Sequence, residues 1–172
     1  MHLDTAIHLI SSGIEKSSSP QVWVDLGAGR GLFTKALASQ LPAESIIHAV
    51  DTDAAALRTI ELPDGITFRT QQHDFVHDEL HLPLLDGVLM ANSLHYVKDK
   101  YTFMKAIRST LKPAGRIILV EYDTSRSNTW VPYPIAYTAL EKFAHAFGFS
   151  SVQKLAEVPS VYQGSMYAAL LL

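Results

Sequence analysis

Apolar residues along this chain alternate between two rhythms, and each predicts a different element. Leu3, Ile7, Ile10 and Ile14 recur at helical spacing, so 3–15 reads as a short amphipathic helix, and Ser17-Ser18-Ser19-Pro20 ends it. A compact apolar run makes 21–26 the first strand. Leu32, Phe33, Ala36, Leu37 and Leu41 mark a helix with one apolar face. Ile46–Val50 is a β-branched run closing on Asp51, the second strand. Ala54, Leu57 and Ile60 predict a helix stopped by Pro63-Asp64-Gly65, and Ile66–Thr70 is the third strand. The stretch 71–84 is polar and His-rich, with room for at most a short helix. Gly87–Ala91 is the fourth strand, and Phe103, Met104, Ile107 and Leu111 form the stripe of the next helix. Lys112-Pro113-Ala114-Gly115 reads as a turn into a fifth strand, Arg116–Tyr122. A polar, aromatic and proline-containing loop (123–134) leads to a last helix through Ala136, Leu140, Phe143 and Phe147, with Gly148 as its stop. The final strands are Val152–Val158 and Met166–Leu172, joined by a link containing Pro159 and Gly164.

Alternating strands and helices imply an α/β fold with a mostly parallel sheet covered on both faces. The last two strands have no helix between them and are expected to pair antiparallel. The closing run Ala168–Leu172 is apolar on both faces, which places it inside the sheet. The whole chain, 1–172, reads as one domain, with 1–19 a helix and linker and 20–172 the core.

Composition narrows the function classes. Hydrophobic residues make up 48% and charged residues 18%, a globular balance. The formal net charge is −3 with no Lys/Arg cluster, which argues against nucleic acid as the main partner. There is no cysteine, so disulfides, Cys-ligated zinc and thiol nucleophiles are excluded. No apolar run reaches membrane-spanning length, and no basic segment precedes an apolar one at the N-terminus. The expectation is a soluble, cytoplasmic protein with no membrane partner; a homo-oligomer is left open.

The chemistry concentrates in Asp25-Leu26-Gly27-Ala28-Gly29-Arg30-Gly31. A strand runs into it and a helix runs out. Glycine lets a ligand lie against bare backbone, and the helix start beyond offers unpaired N–H groups. The dinucleotide fingerprint G-x-G-x-x-G is not met, because the third glycine comes one residue early, with Leu32 in its place. Further polar groups follow at strand ends: Asp51 with Asp53 behind it, Asp74 and Phe75, Asn92-Ser93-Leu94-His95-Tyr96, and the entry Leu111-Lys112-Pro113-Ala114-Gly115-Arg116.

This set resembles the class I S-adenosylmethionine-dependent methyltransferases, of the small-molecule type, over about residues 20–172. The resemblance implies a Rossmann-like three-layer sandwich with a seven-stranded sheet, order 3-2-1-4-5-7-6, whose last strand is antiparallel. It also implies S-adenosylmethionine as cofactor, S-adenosylhomocysteine as product and no metal. On that reading Asp51 accepts from the ribose diol and Thr52 lies beside it. Asp74 accepts from the adenine amino group, and the Phe75 backbone N–H faces the ring. The methionine part crosses Gly27, Ala28, Gly29 and Gly31, with Asp25 organising the loop and Asn92 completing the set. Plainer readings stand beside these: Asp25 as a turn cap, and Asp51 as a cap for the helix at 53–60, a task open also to Thr52 and Asp53.

His95 and Tyr96 fall at the cofactor's methyl end, His95 as a general base or as a packed wall. Glu121, Tyr122, Trp130 and Tyr133 are the candidate acceptor contacts, against a plain reading of 123–134 as a packed connection. His73, His77 and His81 recur every four residues, but a solvated face explains them better than a metal site. Tyr101 and Lys105 match a dehydrogenase pair by chance, since Phe103 and Met104 between them belong to the core. The expected function is methyl transfer to an O, N or C nucleophile of a small molecule. The alternatives are a non-catalytic S-adenosylmethionine-binding module that needs a partner and, behind it, a nicotinamide-dependent oxidoreductase.

Overall fold

Seven strands form one sheet in the order β3-β2-β1-β4-β5-β7-β6, in a computed structural model that describes residues 1–160, 162 and 164–172. The strands are β1 (Val22–Leu26), β2 (Ile46–Asp51), β3 (Thr67–Gln72), β4 (Leu85–Ala91), β5 (Leu111–Tyr122), β6 (Val152–Pro159) and β7 (Ser165–Leu171). β1 to β5 pair in parallel, while β7 runs antiparallel to both β5 and β6. The expected architecture and strand order are therefore observed. β7 lies inside the sheet because Met166–Leu171 is buried on both faces. Of the link before it, Val161 and Gln163 lie outside the described residues.

Strand alternation sorts the core into two layers. Val88 and Met90 of β4, with Ile117 and Leu119 of β5, point to one face. There they meet Met104 and Ile107 of α4 (Lys100–Ser109) and Leu140 and Ala144 of α5 (Tyr137–Ala146). Leu89, Ile118 and Val120 point the other way, with Trp23 and Ile47. They meet Leu9 and Ile10 of α1 (Leu3–Ile10) and Phe33 and Leu37 of α2 (Leu32–Ala38). A short helix α3 (Ala54–Leu57) follows β2.

Several boundaries differ from the sequence expectation by a few residues, Leu111 opening β5 instead of ending a helix stripe, and three differences have a local reason. The first helix stops at Ile10 and continues as a 3-10 turn through Gly13. α3 ends at Leu57, because Thr59 and Ile60 bond back to Ala56 and Leu57 as turns, which brings Ile60 beneath Gly31. The segment Lys112–Gly115 is not a turn ahead of β5 but an irregularity within it. Leu111 pairs with Leu85 and Arg116 with Gly87, so 112–115 bulge out of register.

Candidate functional site

β1 and β4 are neighbours, although β1 connects onward to β2 on its other side. Such a reversal leaves a crevice beyond the strand C-termini. The glycine loop lies there. Gly27 and Ala28 N–H both donate to the Val50 carbonyl, at 2.8 and 3.1 Å, which folds the loop over the end of β2. Gly27 and Gly31 have φ of +82° and +78°, and a Cβ would stand 2.5 Å from Ser93 Cβ and 2.7 Å from Ile60. These two glycines answer to packing. Gly29, at φ +53°, has nothing within 4 Å of where its Cβ would be, so it is the glycine of the loop with an open side.

The carboxylates divide the work. Asp51 Oδ2 accepts from Gly29 N at 2.7 Å and Oδ1 from Asp53 N at 2.9 Å. The helix-cap role falls to Asp53, which accepts from Ala55 N and Ala56 N. Asp25 is 1% exposed, and its Oδ2 accepts from the Thr34 hydroxyl at 2.6 Å while Oδ1 has no partner. Burial lifts the Asp25 carboxyl to about 7; Thr34 opposes that shift and Asp51 adds to it. Asp74 closes a turn: Oδ1 accepts from Val76 N, and Oδ2 bonds His77, which holds the carboxyl below its usual range. The Phe75 N–H at that turn donates to no protein acceptor among the described residues. Its ring packs 5.9 Å from that of Phe103. Thr52 is exposed, and its carbonyl accepts from Gln72.

Asn92 closes the crevice at the end of β4. It holds a left-handed conformation (φ 54°) uncommon for a residue with a side chain. Its N–H donates to the Val120 carbonyl and its Oδ1 is buried without a partner. The unpartnered oxygens at the ends of β1 and β4 are Asp25 Oδ1 and Asn92 Oδ1; the amide oxygen is an acceptor, and the carboxyl oxygen is one when Asp25 is ionised. They complement a ligand rich in donors (ammonium, hydroxyl and amino groups), so the residues present fit S-adenosylmethionine.

Asn92 also lines a cavity of about 890 Å³, with His95, Tyr96, Tyr122 and Trp130 among its walls. Glu121 lies behind His95. Its Oε2 is 2.7 Å from His95 Nδ1, and its Oε1 accepts from His95 N at 3.1 Å. Burial first, and then Tyr162, Glu121 and Tyr96, push the Tyr122 hydroxyl up, so it stays protonated.

The candidate acceptor residues therefore separate. Tyr122 and Trp130 line the cavity, whereas Glu121 is 1% exposed and reaches it only through His95. Tyr133 is not on its wall: the Tyr133 N–H donates to the His95 carbonyl, and Lys100 Nζ lies 5.8 Å from its ring. Lys100 also donates to the carbonyls of Val97 and Tyr133, pinning the loop against the start of α4. Asp123, a polar group expected with Glu121 and Tyr122 at the end of β5, lines the cavity, whereas sequence reasoning missed Thr34, Ser93 and the cavity-lining Arg126 and Asn128. The polar composition of 123–134 was the only signal for the last two. His73, His77 and His81 share no helix, and among the described residues no group of His, Asp and Glu could hold a metal. Nor is any described helix long and apolar enough to cross a membrane.

The family described as "Methyltransferase domain" matches residues 24–117. An uncharacterised methyltransferase of Mycobacterium tuberculosis is 28% identical over 113 residues, covering 64% of this chain and 56% of that protein. The methyltransferase gedG of Aspergillus terreus is 26% identical over 107 residues, 59% of this chain and 32% of its own. The chain thus spans little more than half the length of the first and a third of the second. Among solved structures, a Leishmania major S-adenosylmethionine-dependent methyltransferase superposes with TM-score 0.75 at 17% identity, over 99% of this chain and 72% of that one. The 1,6-didemethyltoxoflavin-N1-methyltransferase of Burkholderia thailandensis, with 1,6-didemethyltoxoflavin and S-adenosylhomocysteine bound, gives TM-score 0.71 at 21% identity, over 98% and 76%.

Proposed function

The chain belongs to the class I S-adenosylmethionine-dependent methyltransferases, and on that premise we propose that it moves a methyl group from this cofactor to a small-molecule acceptor by in-line displacement. One observation carries the reading. Two buried oxygens without a partner among the described residues, on Asp25 and Asn92, lie at the ends of β1 and β4 beside the glycine loop, and Asn92 also lines a separate cavity of acceptor size. When bound, S-adenosylmethionine supplies a methyl group already activated by sulfur's positive charge. The protein's task is then largely alignment. Asp51 and Thr52 meet the ribose, Asp74 and the free Phe75 N–H meet the adenine, and Gly27, Ala28, Gly29 and Gly31 pass beneath the methionyl chain. Asp25 and Asn92 offer acceptors to its donors. His95, Tyr96, Tyr122 and Trp130 bound the acceptor's space. The Burkholderia neighbour, recorded with a small acceptor and S-adenosylhomocysteine together, supports this division of the crevice.

The same reading takes 1–172 as one domain working in the cytoplasm without a metal, a membrane or nucleic acid. A second reading is a cofactor-binding module completed by a partner. Incubating purified protein with methyl-labelled cofactor and a metabolite extract separates the two. Label in a small product supports transfer, while S-adenosylhomocysteine binding without any labelled product supports the module. Titration with NAD(H) and S-adenosylhomocysteine addresses the oxidoreductase: nicotinamide binding in place of S-adenosylhomocysteine overturns the proposal.

A further inference from the structure

The acceptor cavity has a buried polar wall and an exposed aromatic one. On the first, His95 is 2% and Glu121 1% exposed. Both Glu121 oxygens bond His95, one through the ring Nδ1 and one through the backbone N–H. Two bonds to one carboxylate fix the ring with Nδ1 toward Glu121, so Nε2 is the ring nitrogen left for a ligand of the cavity that His95 lines. A buried pair of this kind is weak evidence for stability, since desolvation offsets its attraction. On the second wall, the Tyr122 ring lies 6.0 Å from that of His95 and 6.3 Å from that of Tyr162. Trp130 and Tyr162 are 79% and 83% exposed, so large aromatic faces stand open at the mouth. Among the described lining residues Arg126 is the one permanent cation, and Asp123 balances it. Charge therefore does not select the ligand; flat apolar faces do.

We propose that the acceptor is a planar aromatic compound bearing a hydroxyl group, stacked against Trp130, with its O–H directed at His95 Nε2. This rests on the methyl-transfer reading above. A phenolic hydroxyl ionises near pH 10, so at neutral pH its oxygen is a weak nucleophile and needs a base. An arylamine already has a free lone pair and needs none. In the step, the acceptor oxygen forms its bond to the methyl carbon, and the carbon–sulfur bond breaks with its electron pair left on sulfur. The hydroxyl proton moves to His95 Nε2 and then to water. Glu121 is a positioning residue that acts through His95.

The test uses phenol, 2-naphthol and 7-hydroxyflavone, with 2-naphthylamine and the non-planar alcohol 2-decalol as counterparts. Calorimetry on protein saturated with S-adenosylhomocysteine reads binding, and mass spectrometry reads transfer from S-adenosylmethionine. At least one hydroxyarene binds and is methylated on oxygen, while 2-decalol does neither. Trp130→Ala weakens hydroxyarene binding about tenfold. His95→Asn keeps the donor to Glu121, so KM holds while kcat falls about a hundredfold or more. Glu121→Gln lowers kcat about ten- to a hundredfold at constant KM. The proposal is overturned if S-adenosylhomocysteine binds but no hydroxyarene binds or is methylated. Faster transfer to 2-naphthylamine than to 2-naphthol, or wild-type kcat in His95→Asn, also overturns it. Should His95→Asn fail to fold, the hydroxyl, amine and aliphatic comparison on the wild-type protein decides. If S-adenosylhomocysteine itself does not bind, the failure lies in the methyl-transfer reading and the acceptor assignment falls with it.

Discussion

The Thr34 hydroxyl, on the first turn of α2, donates to Asp25 Oδ2 at the end of β1 across 2.6 Å. Among the described residues it is the only side-chain bond to this buried carboxyl group, whose second oxygen has no partner among them. Burial places this carboxyl near 7, against 3.8 for an unperturbed aspartate. Between those values the folded chain holds a proton that the unfolded chain has released. Stability therefore falls as pH rises through this window and stays low above it. Asp25→Asn removes the titration. In urea melts the variant should exceed the wild type at pH 8 by on the order of 2 kcal/mol, and the difference should shrink toward zero near pH 4. An equal difference at both pH values would show that Asp25 does not titrate in the window.

Gly29 and Gly31 should respond differently to alanine. Both hold positive φ, which costs an alanine about 1–2 kcal/mol. At Gly31 the new methyl also meets Ile60 at 2.7 Å, so Gly31→Ala loses stability beyond that strain. At Gly29 the methyl enters open space, and the loss is in binding. Gly29→Ala should stay folded and bind S-adenosylhomocysteine more than tenfold more weakly. Thermal melts and calorimetry on the two variants check this, and a Gly29→Ala protein with wild-type affinity would remove the loop from the ligand site.

Asp53 and Asp51 are two residues apart and should separate just as cleanly. Asp53 caps α3 through Ala55 and Ala56 N–H. Asp53→Ala is expected to cost about 1 kcal/mol of stability and to leave S-adenosylhomocysteine affinity within twofold. Its backbone N–H, which Asp51 uses, survives the change.

Much of this was legible in the sequence, and the reasons differ by element. β1, β2 and β4 are short apolar runs buried on both faces, so composition alone exposes them. Gly148 stops α5 with φ +77°, a conformation that glycine suits best and whose place the end of the apolar stripe announces. The bulge at Lys112–Gly115 was not legible. Pro and Gly do signal a break, but whether the chain turns before the strand or within it depends on the Leu85–Leu111 pair, a contact across the sheet. The site shows the same division. The glycine loop and Asp51 are marked by local spacing. The His95–Glu121 pair joins residues 26 apart on different elements, and Thr34 and Ser93 earn their places through Asp25 and Gly27. No local pattern carries such pairings. Tyr133 illustrates the converse: composition offered it as an acceptor contact, and the contact seen is its backbone N–H donating to the His95 carbonyl.

The central claim is that the Asp51 carboxylate holds the ribose while the Gly27–Gly31 backbone passes the methionyl chain. Calorimetric titration of Asp51→Asn with S-adenosylhomocysteine, at a temperature where melts show the variant folded, tests it most directly. A charge-assisted bond is worth about 1.5–3 kcal/mol, so the account predicts affinity reduced at least about tenfold. Wild-type affinity in that folded variant would contradict it.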